Sequence, residues 1–409
     1  MPFPGKQGVS AFGQGTDRGI YSYVCVFGAF LYSGLLIAPL LASRLTAQFN
    51  LSATQTGLLF SLEYAAFSLA AIPALLWTTR LNLHNVSYVC AAIVVGGNIV
   101  SGLIDSFPIL VVVRMIVAAA AGSITVIILA IGGKTSNPGR SFGLFVVAQL
   151  AMGAVLLALI PHVLPPSGVR PVYWLLAVLI SSGFAVIRNI DPWLLRPERV
   201  VAARPTAVRR TIPLRFVLGA VAIMTFYLGL SGVWTFIGEI GHSAGTASDS
   251  VNTVLAIATV AGILSALVAA IVGDHRYQYL FMIAGYAGFC ASIVLLLGAP
   301  ALLRFAIAAI AFKFAWTFIL PYLFAGLSAL SSSPHVMSTA NVMIGIGFAV
   351  GPVLSGALID RTGGYSAMLL VGAGAMAVSM LCVAIGLRPS HDDTTASSAV
   401  AQSNAGTHH

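Results

Sequence analysis

Charged side chains are scarce in this sequence. Only 8% of the 409 residues are Asp, Glu, Lys or Arg, whereas 58% are hydrophobic and the mean hydropathy is +0.97. Soluble domains carry about 25% charged residues, so this chain lacks the polar side chains needed to cover a water-exposed surface. The composition excludes a soluble enzyme, a disordered protein and a DNA-binding domain, and it indicates a protein that crosses a membrane several times.

Motifs of catalysis, metal binding and nucleotide binding are also missing. The four cysteines form no CxxC pair, and the eight histidines form neither an HExxH motif nor a His/Cys cluster. The GGKTS stretch at 132–136 has Ile128 where a phosphate-binding loop needs a glycine, so it predicts no ATP-driven transport. We therefore expect a protein that is not an enzyme and that needs no metal or other cofactor.

Long apolar runs dominate what the sequence does contain. A membrane-spanning helix needs about 20 mostly apolar residues, and continuous apolarity at this length favours helices over the alternating pattern of barrel strands. The predicted fold class is therefore an all-α membrane protein with twelve transmembrane helices. The predicted segments, numbered in chain order, cover 18–42, 52–77, 85–104, 108–131, 141–164, 171–190, 214–238, 250–272, 277–298, 301–327, 337–359 and 365–387.

Basic residues lie mostly on one side of the predicted segments. If both termini are cytoplasmic, fourteen Lys and Arg fall on that side or at the segment ends facing it, four fall on the opposite side, and Arg114 and Lys313 lie deep within segments. The positive-inside rule then predicts a multi-pass protein of the plasma (inner) membrane with N and C termini in the cytoplasm. Orientation in the lipid bilayer explains the net charge of +9, and we expect no nucleic-acid partner.

The longest gap between apolar runs divides the segments into two sets of six. One constant shift along the chain superimposes Ser52 on Ser248 and Arg80 on Arg276, which indicates a parallel repeat of one six-helix unit. The expected organisation is a disordered cytoplasmic N-terminus at 1–17, an N-terminal six-helix half at 18–190, a basic cytoplasmic linker at 191–213, a C-terminal six-helix half at 214–387 and a disordered cytoplasmic tail at 388–409.

Segments 4 and 11 carry motifs that point to a family. Segment 11, at 341–368, reads NVMIGIGFAVGPVLSGALIDRTGGYSAM, in which GxxxxxGPxxxG is followed by DxxGG. In segment 4, Arg114 is followed at helical spacing by Ala118 and Gly122. Together with the division into six and six helices, these motifs resemble the major facilitator superfamily (MFS) of secondary transporters. The resemblance implies a central cavity lined mainly by segments 1, 4, 7 and 10, and alternating access by rocking of the two halves.

Two loops lie where this family carries its GxxxDRxGRR signature. The loop after segment 8 matches the signature at Gly273, Asp274 and Arg276, and the loop after segment 2 matches it at Arg80. The resemblance implies that Arg80, Asp274 and Arg276 take part in gating.

Three charged residues stand out because they lie at membrane depth within predicted segments, where charge is costly and therefore indicates function. They are Glu63 in segment 2, Arg114 in segment 4 and Lys313 in segment 10. The two cations predict a binding site for an organic anion, because Arg can grip a carboxylate with two hydrogen bonds and Lys can act as a point charge. Anion binding would free Glu63 to take up the coupling proton. In the alternative interpretation, Glu63 forms a structural ion pair with Arg114 or Lys313.

Aromatic and amide side chains supply further candidates for substrate binding. Trp316 follows Lys313 by about one helical turn, and aromatic rings near a cation can stack on a flat substrate. Packing, interfacial anchoring and interhelical hydrogen bonding are the alternative roles for such residues. The candidates besides Trp316 are Tyr32 in segment 1, Tyr227 in segment 7 and Asn341 in segment 11.

These features predict a proton-coupled secondary active transporter that works by alternating access. The expected activity is symport of a small organic anion, such as a mono- or dicarboxylate or an aromatic acid, by a monomer. The first alternative is a drug/proton antiporter that exports lipophilic compounds. Exporters of that kind typically carry GxxxGPxxGG in segment 5, whereas this chain has Gly153 with no following Gly-Pro. The second alternative is a membrane receptor or scaffold without transport.

Overall fold

A computed structural model describes residues 14–78, 80–165, 168–189, 214–272, 278–330 and 334–386. Within these ranges the regular secondary structure is entirely α-helical. The helices are α1 (Gln14–Leu31), α2 (Ser33–Leu36), α3 (Ala38–Phe49), α4 (Ala53–Leu69), α5 (Ala71–Trp77), α6 (Leu83–Ser101), α7 (Phe107–Gly132), α8 (Pro138–Val163), α9 (Arg170–Ser181), α10 (Gly183–Asn189), α11 (Leu214–Ser243), α12 (Ser248–Val272), α13 (Gln278–Leu295), α14 (Leu302–Leu330), α15 (Pro334–Thr362) and α16 (Ser366–Gly386).

These helices group into the predicted segments. Among the described residues, ten helical stretches are long and apolar enough to cross a membrane, and a shorter apolar stretch, Tyr279–Leu295, falls on predicted segment 9. The interrupted run α1–α3 falls on predicted segment 1. The predicted all-α membrane architecture is confirmed.

Some predicted boundaries differ from the observed ones. The helix α1 begins at Gln14, so residues 14–17, which we expected to be disordered, are helical. The helix α3 continues to Phe49 rather than ending at residue 42, because Asn50 in the left-handed conformation (φ 49°) is what ends it. The predicted linker at 191–213 and the predicted tail at 388–409 lie outside the described residues.

Two opposite faces of the helix bundle are used as reference below. The terminal face holds the first and last described residues, Gln14 and Gly386. The distal face holds the connections between α3 and α4, between α11 and α12, and between α15 and α16. If the predicted orientation is right, the terminal face is the cytoplasmic one.

Polar side chains satisfy backbone groups where helices begin. The Oγ of Ser52 accepts a hydrogen bond from the backbone N–H of Gln55 at 3.2 Å, and Gln55 Oε1 accepts one from the N–H of Ser52 at 3.0 Å, so α4 begins with a capping box. At the start of α8, Asn137 Oδ1 accepts a hydrogen bond from the N–H of Arg140 at 2.9 Å. These bonds supply partners for N–H groups that have none within the helix itself.

The first predicted segment is interrupted between α1 and α3. Its helical path breaks at Tyr32 and Ile37, and Pro39 lies in the first turn of α3, where its missing N–H leaves no bond unmade. The carbonyl oxygen of Leu35 accepts a hydrogen bond at 3.0 Å from the indole Nε1 of Trp234, on α11 in the other half. The interruption therefore provides an acceptor through which the two halves are joined.

The two halves are closed against each other near the distal face. A Cβ added to Gly57 on α4 would lie 2.2 Å from the carbonyl oxygen of Pro352, and one added to Gly356 on α15 would lie 2.2 Å from that of Ala53. Side chains at these two positions cannot be accommodated without a shift of the backbone. The glycines therefore allow α4 and α15 to approach more closely than helices with side chains could.

Candidate functional site

A cavity of about 370 Å³ lies between the two halves. On α7 its wall runs from Arg114 to Leu129, towards the end of that helix at the terminal face, while the distal side is closed by α4 and α15. The cavity is therefore placed to open to the terminal face. Aliphatic and aromatic side chains form most of its wall, and the polar and charged side chains on it are Tyr32, Glu63, Tyr64, Ser68, Asn98, Arg114, Thr125, Gln149, Tyr227, Trp316, Thr317 and Asn341.

Arg114 and Glu63 form an ion pair on this wall. The Nη2 of Arg114 on α7 donates a short hydrogen bond to Oε1 of Glu63 on α4. This is the only ion pair among the residues that the structure describes. The structure thus selects Arg114, rather than Lys313, as the partner of Glu63. It also places both members of the pair at the cavity, where substrate could reach them.

Two further residues hold the Arg114 side chain in place. Its Nη1 donates a hydrogen bond to Oδ1 of Asn98 on α6 at 3.0 Å, and its guanidinium lies over the ring of Tyr173 on α9, 4.8 Å from the ring centroid. Neither Asn98 nor Tyr173 was singled out from the sequence. The Nε of Arg114 is buried without a partner among the described atoms. The guanidinium is therefore fixed in position, and its Nε–H is still available as a hydrogen-bond donor.

Gly34 on α2 lies opposite the ion pair. A Cβ added there would be 3.8 Å from Glu63 Oε1 and 3.9 Å from Arg114 Nη2. The absence of a side chain at Gly34 leaves open space above both charged groups. This space is where a substrate group could approach the pair.

Besides Arg114, four sequence-predicted binding residues line the cavity: Trp316, Tyr32, Tyr227 and Asn341. The Tyr32 ring packs edge-on against Phe67, with the ring centroids 5.2 Å apart. Their placement is consistent with the predicted contacts, which stay predictions. The wall is broader than the resemblance implied, because α4, α8 and α15 contribute to it as well as segments 1, 4, 7 and 10.

Lys313 does not line the cavity, contrary to our expectation that it would face the same space as Arg114. Its side chain is fully buried, and Nζ lies 4.0 Å from the ring centroid of Trp234 and 3.6 Å from that of Trp316. Trp316 takes the place on the wall instead. The Lys313 stem passes close to Gly262 on α12, where an added Cβ would lie 3.2 Å from Lys313 Cγ. Rotation of α14 about its axis, which helical spacing does not specify, turns the lysine into the C-terminal half.

The predicted gating residues are only partly described. Arg80 is exposed in the turn after α5, near the terminal face. Asp274 and Arg276 lie outside the described residues, so their gating role stays a prediction. At the distal face Asp360, in the DxxGG motif, is one of the residues that join the halves, because its carboxylate accepts hydrogen bonds from the backbone N–H groups of Ala53 and Thr54. The DxxGG motif marks this residue in the sequence, but the motif by itself does not indicate its contact.

The comparisons with known proteins agree with this architecture. A family model described as the Major Facilitator Superfamily matches residues 219–407. This match covers the C-terminal half, which accordingly belongs to the major facilitator superfamily. Together with the likeness to solved transporters, the match supports an MFS transporter rather than an enzyme, as expected from the sequence.

Solved structures of MFS transporters resemble the whole described bundle. The nucleoside transporter NupG is 13% identical with a TM-score of 0.69, and the match covers 91% of this chain and 100% of that one. A D-xylose–proton symporter is 12% identical with a TM-score of 0.69, covering 92% and 98% of the two chains. A bacterial homologue of the human lysosomal transporter Spinster, in an inward-facing and occupied conformation, is 16% identical with a TM-score of 0.62, covering 91% and 94%.

At these identities the likeness shows the fold alone. No curated protein sequence matches this chain. Its substrate must therefore be inferred from its own cavity. Among the described residues, no group of three or more His, Cys, Asp or Glu side chains is arranged to hold a metal ion.

Proposed function

We propose that this MFS protein is a proton-coupled symporter of small organic anions that carry one carboxylate on an apolar or aromatic body. The observation that carries the proposal is the Glu63–Arg114 ion pair on the wall of a mostly apolar cavity. A structurally similar protein is a D-xylose–proton symporter, so the fold is compatible with proton coupling.

Exchange of partners at Arg114 couples the two fluxes. A substrate carboxylate that enters beside Gly34 competes with Glu63 for the guanidinium, because Arg binds carboxylates with two parallel hydrogen bonds. Glu63 then loses its counter-ion in apolar surroundings, where an unpaired charge is strongly disfavoured. Protonation of Glu63 removes that charge. Substrate and proton are therefore bound together.

The charges of this exchange predict an electroneutral cycle. The empty site holds one cation and one anion. The loaded site holds the same cation, the substrate carboxylate and a neutral Glu63. Both forms of the carrier have the same net charge, so transport of a monoanion with one proton moves no charge across the membrane.

The cavity favours monocarboxylates among the organic anions. Arg114 is the only Lys or Arg on its described wall, since Lys313 is enclosed behind Trp316. A second carboxylate would have no cation to pair with. The volume of about 370 Å³ lies at the small end of ligand pockets, which span roughly 300–1,000 Å³. Stacking on Tyr32 or Tyr227 would suit an aromatic ring.

A drug/proton antiporter remains the second candidate, and the apolar wall is the observation that favours it. A lipophilic compound without a carboxylate could fill the same cavity, with proton binding to Glu63 releasing Arg114. In that case no anion would be required for proton movement. Three further parts of our proposal rest on the sequence. They are operation as a monomer, the division into two halves, and a location in the plasma (inner) membrane with cytoplasmic termini.

Proteoliposomes with an internal pH-sensitive dye test the proposal. Addition of benzoate to the outside should acidify the lumen faster than in protein-free liposomes, which report passive entry of the acid. Succinate should have no such effect. Glu63→Gln should abolish the protein-dependent acidification, and Arg114→Gln should abolish labelled benzoate uptake. Alkalinisation evoked by a lipophilic cation, with no response to benzoate, would instead establish antiport.

A further inference from the structure

Lys313 is a buried charged residue that the proposed cycle does not yet use. Its Nζ has no hydrogen-bond partner among the described atoms. The two indole rings of Trp234 and Trp316 enclose it at cation–π distances of 4.0 and 3.6 Å. An amine in a membrane helix with no acidic partner is costly to retain. Packing alone therefore does not account for a lysine at this position.

Among the described residues, no acidic side chain on a neighbouring helix forms an ion pair with Lys313. In the described part of the chain, the charged or titratable groups nearest the distal ends of α11, α12 and α15 are Glu239, His242, Asp249, Asp360 and Arg361. None of them forms an ion pair with Lys313. Tyr286 on α13 is engaged with Ser379, to which its hydroxyl is hydrogen-bonded at 2.8 Å.

One wall of the Lys313 enclosure also belongs to the distal closure. Trp234 donates its indole N–H to the carbonyl oxygen of Leu35, in the other half, at 3.0 Å. One helical turn further along α11, an added Cβ at Gly238 would lie 3.2 Å from the carbonyl oxygen of Pro39. Opening of the distal side must separate these contacts. The same movement frees the Trp234 ring that covers Lys313.

We propose that Lys313 is the anion-binding residue of the conformation that is open to the distal face. In that conformation Trp234 has left Leu35, and the Lys313 amine reaches the widened cavity and pairs with the substrate carboxylate. Arg114 binds the carboxylate when the cavity opens to the terminal face. The two cations thus act in different states of the cycle, and the indole rings hold Lys313 when it has no anion. This inference rests on the proposed transport of organic anions.

Thiol accessibility tests the conformational part. The parent is a chain with its four cysteines replaced by alanine, namely Cys25, Cys90, Cys290 and Cys382. Lys313→Cys in this parent is treated with a membrane-impermeant thiol reagent, with and without Gly57→Trp, which cannot close the distal side. We expect labelling to be at least about tenfold faster with Gly57→Trp. This factor corresponds to a shift of roughly 1.4 kcal/mol in the equilibrium between the distal-closed and distal-open conformations. Equal, slow labelling in both chains would overturn the inference.

Matched controls guard this measurement. Ser292→Cys, at a fully buried position of α13 away from the cavity, should stay unreactive in both backgrounds. Gly356→Trp supplies an independent distal-open chain if Gly57→Trp does not give a monodisperse protein on gel filtration. Labelling of Ser292→Cys would mean that the C-terminal half has loosened, and the Gly356→Trp chain then decides the outcome.

Benzoate binding tests the chemical part. In the Gly57→Trp chain, Lys313→Gln should weaken benzoate binding about tenfold or more, as expected for loss of a hydrogen bond to a charged group, and Lys313→Arg should restore most of it. In the chain without Gly57→Trp, Lys313→Gln should leave the affinity almost unchanged. An unchanged affinity in both chains would overturn the role of Lys313 while leaving transport through Arg114 intact. Absence of benzoate binding in every chain, including the wild type, would overturn the proposed function and this inference with it.

Discussion

The carboxylate of Asp360 accepts a hydrogen bond from the backbone N–H of Thr54 at 2.8 Å, and so joins the end of α15 to the start of α4 across the two halves. Its other oxygen accepts the N–H of Ala53 at 3.0 Å. A negative side chain at a helix N-terminus is favourable because unpaired N–H groups and the helix dipole both point at it. Closure of the distal face therefore includes a polar contact as well as the close approach of glycines.

Asp360→Asn should shift the chain towards the distal-open conformation. The amide keeps an acceptor oxygen but loses the charge, and at this exposed position we expect a cost of about 1 kcal/mol, or roughly fivefold in the equilibrium. Ala47 and Ser366 are exposed near the distal face in opposite halves. Double electron–electron resonance between spin labels at these two positions should show a larger long-distance population in the variant.

A suitable control for that variant is Asp249→Asn. Asp249 is exposed at the start of α12 on the same face, and its side chain forms no ion pair with any residue that the structure describes. The distance distribution should then match that of the wild type. Equal shifts for both variants would mean that surface charge, rather than the bond to α4, governs closure.

Gly356→Trp should abolish transport while leaving the protein folded. The indole cannot fit where an added Cβ already lies 2.2 Å from the carbonyl oxygen of Ala53, so the distal side cannot close. Counterflow of labelled benzoate in proteoliposomes should fall to the level of protein-free vesicles, because the cycle requires both conformations. Gly288→Trp, at a position with open space around it, should transport normally. Wild-type transport by Gly356→Trp would contradict the assignment of this contact to the gate.

Asn98→Ala should weaken substrate binding without removing proton coupling. The variant leaves Arg114 Nη1 without its partner, and loss of a hydrogen bond to a charged group costs about 1.5–3 kcal/mol. We expect the KM for benzoate to rise about tenfold or more, while the stimulation of uptake by an inward proton gradient persists because Glu63 is intact. Ser101→Ala on the same helix, whose hydroxyl donates a hydrogen bond to the Gly97 carbonyl, should behave as wild type. Loss of the pH response in Asn98→Ala would show that Asn98 acts on Glu63 instead.

Larger side chains at position 34 should block access to the ion pair while leaving the protein folded. An added methyl group would contact Glu63 and Arg114 at ordinary van der Waals distances of 3.8 and 3.9 Å, so Gly34→Ala should fold and bind substrate more weakly. Gly34→Leu would fill the space above the pair and should abolish benzoate binding with little change in melting temperature. Calorimetric titration and thermal unfolding of the two variants would measure both effects. Full binding by Gly34→Leu would place the substrate elsewhere in the cavity.

The membrane restricts the secondary structures that an apolar segment can adopt, and the helices could therefore be predicted from the sequence. Apolar runs of spanning length leave helices as the only structure that pairs every backbone group, which explains why the all-α architecture was predictable. Local caps such as Ser52 with Gln55 depend on neighbours in the chain. Glu63 and Arg114 could be selected because charge at membrane depth is rare and costly. Their functional importance could thus be inferred from composition and position, whereas a central cavity was implied only by the resemblance to the MFS.

The tertiary structure decided which of these groups meet. The sequence left Arg114 and Lys313 equally open as partners of Glu63, and the rotation of each helix about its axis chose Arg114 and turned Lys313 between two tryptophans. Asn98, Tyr173 and the bond from Asp360 to Thr54 arise in the same way, from contacts between residues far apart in the chain. Hydropathy specifies that a helix crosses the membrane. Its azimuth is set by side-chain packing against its neighbours, and that is why the site's partners emerged only when the helices were assembled.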